Sequence, residues 1–326
     1  MTSKMLVWIL VALILTVARF ADAQQGSKPR RIGYLSPYAG PEPRFEAFQQ
    51  GLRELGYVEG KNFFIERRFA NANAELLRSF AEELVGLNVD IIFTSTTPAV
   101  QAVKRATSTI PIVMILAADP VDAGLVSSLA RPEGNVAGLT SISADLYGKR
   151  LDLLKEIVPQ LSRVAVLRDP NFSSRSPKAY KEVESDTEKL GLKLQSLDVH
   201  QPGDFEGAFR AATKARSQAG IHFNHTVIVA NRKLMTELAL KSRLPMMLND
   251  AQFMDAGGPM SYGAYGPDLF RRAATYVDKI LRGATPRDLP IERPVKFEFI
   301  VNLKTAKQIG LTIPPNVLVR ADKVIR

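Results

Sequence analysis

The sequence predicts an α/β fold built as two doubly wound parallel-sheet lobes, and three observations carry that expectation. Short apolar runs alternate with amphipathic stretches of helical period, the pattern of βαβ units on a parallel sheet. The alternation runs through a first set of strands and then begins again, as a duplicated architecture would. At 326 residues the chain is long enough for two domains, each with its own core.

Residues 31–35 read as a first strand. Phe45, Phe48, Leu52 and Leu55 come next at spacings of three and four, one face of a helix, and Gly56 stands at its C′ position. Residues 63–67 make a second strand, and Leu76, Leu77, Phe80, Leu84 and Val85 line a second helix that Gly86 closes. Strands at 89–93, 112–116 and 136–140 complete the first series. In the second series Leu151, Leu154, Ile157 and Val158 mark a helix before a strand at 164–167. A long helix then runs to about Leu190, where Gly191 stops it. Strands at 192–197, 221–223 and 245–248 alternate with helices over 205–215 and 233–242. The tail carries an amphipathic helix over 267–281 ending at Gly283, a Pro-rich connection and a strand at 297–301. A short helix over 304–309 closes at Gly310. A tail of this kind has to pack on one domain or the other, so the chain crosses between them more than once.

The first residues predict export. Lys4 precedes an apolar stretch from Met5 to Ala18, and Ala21-Asp22-Ala23 offers small residues where a signal peptidase reads. The apolar run is about 14 residues, short for the alternative of an uncleaved membrane anchor. Residues 1–23 are therefore expected to be a signal peptide, with a periplasmic mature chain from about Gln24. The sequence has no cysteine, which leaves no lipid attachment site, disulfide or thiolate metal site.

The net charge of +10 raises the possibility of a nucleic-acid partner. The basic residues are dispersed among acidic ones (Arg67-Arg68, Arg271-Arg272, Lys279, Arg282), as on a solvated surface, and no nucleic acid is expected. Catalytic signatures are missing too. His200, His222 and His225 show no metal-ligand spacing, and there is no G-x-S-x-G elbow, phosphate loop or strand-linked G-x-G-x-x-G. The expectation is no enzyme, no metal and no cofactor.

The candidate site lies in the turns at the strand ends. Thr94-Ser95-Thr96-Thr97-Pro98 comes after one strand, and Ala117-Ala118-Asp119-Pro120 after the next, ahead of a helical run with Leu125 and Leu129. In both, a capping residue (Thr97, Asp119) precedes a proline at the first helical position. Such turns set hydroxyls and backbone N–H groups at the carboxyl edge of the sheet, where open α/β sheets bind ligands and helix N-termini favour anions. The plainer reading is a pair of well-made helix starts. The second series offers Arg168-Asp169-Pro170-Asn171, Asn224-His225-Thr226 and Asn249-Asp250, suited either to hydrogen-bonding a solute or to Asx turns. Tyr34, Tyr38, Phe172, Tyr262 and Tyr265 lie near these loops and either sandwich a planar solute or pack as hinge and core residues.

Four segments carry a family resemblance: GLRELGYVEGKN from Gly51, TSTIPIVMILAADPVDAGLVSSLARPEGNVAGLTS from Thr107, AGGPMSYG from Ala256, and RRAATYVDKILRGATPRDLPIERPVKFEFIVNLKTAKQIGLTIPPNVLVRAD from Arg271. Over essentially its whole mature length the chain resembles the ABC transporter substrate-binding family that includes tryptophan- and tyrosine-binding proteins. The resemblance implies a periplasmic-binding-protein fold of the first kind, with crossovers near 138–143, 261–265 and 291–296. One lobe would comprise 30–140 plus 264–292, and the other 141–263 plus 293–326. It also implies a non-catalytic monomer that closes on a small organic solute, an amino acid or another carboxylate or aromatic, and delivers it to an ABC permease. A ligand sensor serving a chemoreceptor or sensor kinase is the alternative. On the first lobe the cleft-loop positions are Ser36, Pro37, Ser95, Thr96, Thr97, Asp119, Thr140 and Ser141. Facing them are Asp169, Asn224, His225, Asn249 and Asp250, with Ser261 and Tyr262 at a crossover. One departure is the stretch 219–223, shorter and less apolar than in relatives. It implies a frayed strand or an altered cleft wall, with the His225 imidazole replacing a neutral contact.

Overall fold

In the computed structural model, which describes residues 28–40, 43–141, 146–170 and 177–326, the first series folds as βαβ units. The order is β1 (Arg30–Ser36), α1 (Phe45–Glu54), β2 (Phe63–Phe69), α2 (Ala74–Gly86), β3 (Ile91–Ser95), α3 (Thr97–Ala106), β4 (Ile112–Ala117) and β5 (Val136–Thr140). The leader, Asn171 and Phe172 lie outside the described residues. Alternation along the strands divides their side chains between two apolar layers. Val113 and Ile115 of β4 join Tyr34, Phe48 and Phe93 on one face, while Ile112 and Met114 join Leu35, Leu84 and Val100 on the other.

The second series continues with α4 (Tyr147–Ile157), β6 (Arg163–Arg168), α5 (Pro177–Lys189), β7 (Lys193–Asp198), α6 (Asp204–Lys214) and β8 (Ala219–His222). Helices α7 (Thr226–Ala230) and α8 (Arg232–Lys241) come next, then β9 (Met246–Leu248), α9 (Gln252–Asp255) and β10 (Met260–Ala264). Val164 and Val166 of β6 face one layer, Ala165 and Leu167 the other. Strand β8 is short but not frayed. It lies between β6 and β9, and its four residues are buried.

The chain then returns. Helix α10 (Gly266–Leu281) packs Leu269, Phe270, Ala273, Ala274 and Val277 into the first lobe's core, and β11 (Ile291–Glu292) pairs with β5. The last segment, β12 (Phe297–Asn302), α11 (Leu303–Gln308), α12 (Pro315–Leu318) and β13 (Lys323–Ile325), goes back to the second lobe. Among the described residues the sheets therefore run β11-β5-β4-β3-β1-β2 and β13-β12-β10-β9-β8-β6-β7. The chain passes between them after β5, after β10 and after β11. Both sheets are parallel except at β10 and β12, which pair antiparallel (Met260 with Val301, Ala264 with Phe297). Among the described residues no helix is long and apolar enough to cross a membrane.

Several local expectations fail for identifiable reasons. The helix expected after Asp119-Pro120 is a single turn. Ala123 N–H donates to the Asp119 carbonyl, and Gly124 at φ 67° then takes the chain out of the helix. Thr97 does not cap α3. The capping position falls on Thr96, whose side chain makes no capping bond, while the Thr97 hydroxyl donates to the Ala118 carbonyl at 3.2 Å. Helix α2 ends on Gly86, and Asn88 at φ 50° supplies the left-handed residue. Leu76 faces solvent, and Leu77, Ala81 and Leu84 form the buried stripe instead.

Gly138 on β5 has φ 129°, and a Cβ there would overlap the Met114 carbonyl oxygen of β4. Gly138→Ala should therefore lower the unfolding free energy by about 2 kcal/mol or more, read from the urea midpoint at unchanged m-value.

Candidate functional site

The carboxyl ends of the two sheets face each other, and the backbone there is strained. Thr96 follows β3 at φ 71°, while Leu116 and Asp119 at the end of β4 have φ 55° and 42°. Asn71 and Ala72, after β2, have φ 48° and 57°. Left-handed conformations at non-glycine residues cost of order 1–3 kcal/mol each and persist only where surrounding structure enforces them. Their concentration at one sheet edge is the first structural mark of a site.

Those loops wall a narrow void between the lobes of about 10 Å³, room for roughly one water molecule. Tyr38, Thr96, Thr97 and Leu116 close it from the first lobe, and Asn224, His225 and Thr226 from the second. The hydroxyls of Thr96 and Thr226, one from each lobe, are both buried and have no hydrogen-bond partner among the described residues. Thr226 is 8% exposed. Burying a hydroxyl without a partner is unfavourable, so two on one void mark positions for an incoming polar group. Tyr38 also packs against the second lobe's core and borders a further space of about 150 Å³ with Asn71, Ala230 and Gln252.

Beneath the second lobe's wall lies a set of buried polar residues. The Arg150 guanidinium, 5.1 Å from the Tyr147 ring centroid, donates from Nε to the Tyr262 carbonyl at 2.8 Å. Burial pulls its pKa down to about 10 and pushes the Tyr147 phenol up to about 12. The Tyr147 hydroxyl accepts from the Asn224 N–H at 3.3 Å, fixing the loop that leads into α7. His222 donates from Nδ1 to the Phe223 carbonyl at 3.0 Å and lies against Phe253, ring centroids 4.6 Å apart. Burial pulls its pKa down to about 3, so the imidazole is neutral. Asn249 is 7% exposed, and neither amide atom has a partner among the described residues.

His225 is the N-cap of α7. Val227 N–H donates to its Nδ1 at 3.3 Å, and Nε2 faces Asp169 Oδ2 at 3.1 Å. Asp169 also meets His200 Nδ1 at 3.4 Å. The imidazole thus forms wall through its ring while its nitrogens serve the protein. Among the described residues, no group of three or more histidines and carboxylates is placed to hold a metal ion.

Of the residues anticipated from sequence, Thr96, Thr97, Asn224 and His225 line the void. Ser36, Pro37, Ser95, Thr140 and Ser141 are buried and are not among its lining residues. The Ser36 hydroxyl accepts from Tyr38 N–H at 3.2 Å, and Thr140 donates to the Ala117 carbonyl at 2.8 Å. Ser261 is buried in β10, and Tyr262 is half-buried beside it. Asp250 reaches the other lobe, its Oδ2 accepting from Arg44 Nη1 at 2.6 Å. Tyr34 is a core residue, stacked on Phe45 at 4.2 Å between ring centroids, and Tyr265 is exposed at the second crossover. Sequence reasoning missed Arg44, Tyr147 and Arg150. Tyr147 and Arg150 stand three apart on α4, a spacing that puts both on one helix face, and that was the available signal.

Two α/β lobes whose sheet edges face one another across a polar-walled void are the fold of periplasmic binding proteins of the first type. The chain belongs to the family described as ABC transporter substrate binding protein, which it matches over residues 42–325. It is similar to a tyrosine-binding protein of Clostridioides difficile (strain R20291), 26% identical over 271 residues, 82% of this chain and 76% of the relative. A conserved domain protein of Vibrio cholerae superposes with a TM-score of 0.84 at 28% identity, covering 91% of this chain and 100% of the other. An ABC domain of Streptococcus pneumoniae in complex with L-Trp gives 0.83 at 24% identity, with coverage of 91% and 100%.

The His222 environment fixes a sign for acid stability. Its folded pKa of about 3 lies below the unfolded value of 6.5, so the unfolded chain takes up the proton first. The contribution of neutral His222 is complete above that unfolded value and is lost as pH falls toward the folded one. Urea midpoints at about pH 7 and about pH 5 should separate more for the wild type than for His222→Gln, approaching ~1.4 kcal/mol per pH unit.

Proposed function

We propose that this chain is the exported solute-binding component of an ABC importer and that its cargo is an aromatic amino acid. The observation that carries the reading is the pair of buried, unpartnered hydroxyls, Thr96 on one lobe and Thr226 on the other, at a single inter-lobe void. A solute that bonds to both gains affinity only when the lobes are together, and that differential affinity drives closure. The N-terminal end of α3, at the same wall, favours a carboxylate. Tyr38 supplies a ring against which a planar side chain stacks. The C. difficile relative is named for tyrosine and the S. pneumoniae structure holds L-Trp, which supports the same ligand class. The basic leader with its A-x-A site supports delivery from the periplasm to an inner-membrane permease.

The test is calorimetric titration of the mature chain from Gln24 with L-tryptophan, L-tyrosine and L-leucine. The aromatic pair should bind and raise the melting temperature by mass action. Thr96→Val and Thr226→Val should each weaken binding roughly tenfold, the worth of one hydrogen bond to a charged or polar ligand group. Absence of heat and of any thermal shift with all three, in folded protein, would overturn the amino-acid reading.

A further inference from the structure

We infer that Arg44 is a clasp residue: carried by the first lobe, it holds the second by Asp250 and Gln252 and favours the closed cleft before any solute arrives. This rests on the reading that the lobes close about a solute, although the clasp does not involve the solute's own wall.

Arg44 stands at the N-cap of α1, and its anchorage belongs to the first lobe. Its stem runs over Gly266, where any Cβ would displace Cδ, and its guanidinium lies over the Phe270 ring at 5.3 Å from the centroid. The hydrogen-bonding rim is turned to the second lobe. Nη1 donates to Asp250 Oδ2 at 2.6 Å. With its carboxamide oxygen toward the guanidinium, Gln252 accepts from Nε at 2.8 Å and also from Nη2. Asp250 is held in turn, since its Oδ1 accepts the Gln252 N–H at 2.9 Å. The Arg44 side chain is 8% exposed and that of Asp250 23%.

Each of the three guanidinium nitrogens thus donates to one short loop of the opposite lobe, immediately beyond Asn249. Separation of the lobes would break these bonds together and return both charges to water. Removing Arg44 alone would leave the Asp250 carboxylate uncompensated and largely withdrawn from solvent at the interface, a desolvation cost that falls on the closed form. Arg44, Asp250 and Gln252 stand outside the void under Thr96 and Thr226, so the clasp acts on closure without touching the solute there.

A cysteine-free chain permits a direct test. Spin labels at R78C and E206C, exposed positions on the two lobes, report the inter-lobe distance by double electron–electron resonance without ligand. Arg44→Met, which keeps the stem over Gly266, should shift the ligand-free distribution to longer distances than wild type. Asp250→Asn, which leaves the first lobe intact, should do the same, and the double variant should go no further than either. With L-tryptophan, each single variant should release ligand faster and bind roughly tenfold more weakly. Ligand-free distributions for both variants that coincide with wild type, in proteins whose near-ultraviolet circular dichroism is unchanged, would overturn the clasp. L-Tryptophan failing to bind wild type would overturn the ligand reading alone, because the ligand-free distances decide the clasp independently.

Discussion

Helix α10 is the element on which the arrangement depends. It follows the strands of the second lobe in sequence, yet its buried face of Leu269, Phe270, Ala273, Ala274 and Val277 belongs to the first lobe's core. Burying such a stripe is worth on the order of 1.5–3 kcal/mol per large side chain. The helix therefore fixes where the chain must go. Having returned to make it, the chain adds β11 beside β5 and then leaves again for β12, which lies antiparallel to β10. The second and third connections between lobes result from that single packing choice. They also set β10 and α10 end to end at the interface, where Arg44 finds both Gly266 and Phe270.

Opposed sheet edges create a problem of polar satisfaction. Each strand end delivers hydroxyls, carbonyls and N–H groups to the gap, and contact between the lobes removes water from them. Part of the demand is met internally: Thr97 and Thr140 donate to carbonyls of the β4 loop, and His225 caps α7 while facing Asp169. The Thr96 and Thr226 hydroxyls are left over. Strained backbone at Thr96, Leu116 and Asp119 accompanies these groups, a cost that packing alone gives no reason to bear.

The fold was legible because its signals are periodic and local. The continuous apolar runs of β4 and β6 and the three–four spacing of Phe45, Phe48 and Leu52 are properties of short windows. The site was legible only as a neighbourhood. The run 94–98 announced a strand-to-helix turn at a sheet edge, but which hydroxyl would be left unpaired depended on where Ala118 placed its carbonyl. The turn after Asp119-Pro120 misled for a local reason too: proline starts a helix as well as a tight turn, and Gly124 decided the matter four residues later. Arg44 could not be read at all. Its partner is 206 residues away, and an arginine ahead of an amphipathic helix is indistinguishable in sequence from a solvated one.

The chemistry of that contact suits the proposed opening and closing of the lobes. A wholly apolar seam would gain steadily with area and make separation slow, whereas a desolvated charge pair nearly cancels its own Coulomb gain against lost hydration. Arg44 and Asp250 retain some solvent contact at 2.6 Å separation, so their net contribution is a small bias. A small bias is what a binding protein can use. If closure were strongly favoured without solute, the occupied and empty forms would look alike to the proposed permease. If it were strongly disfavoured, part of the solute's binding energy would be consumed in closing the cleft. Direction in the joint comes from geometry: the guanidinium is pinned by Phe270 on one lobe, and its acceptors lie on the other.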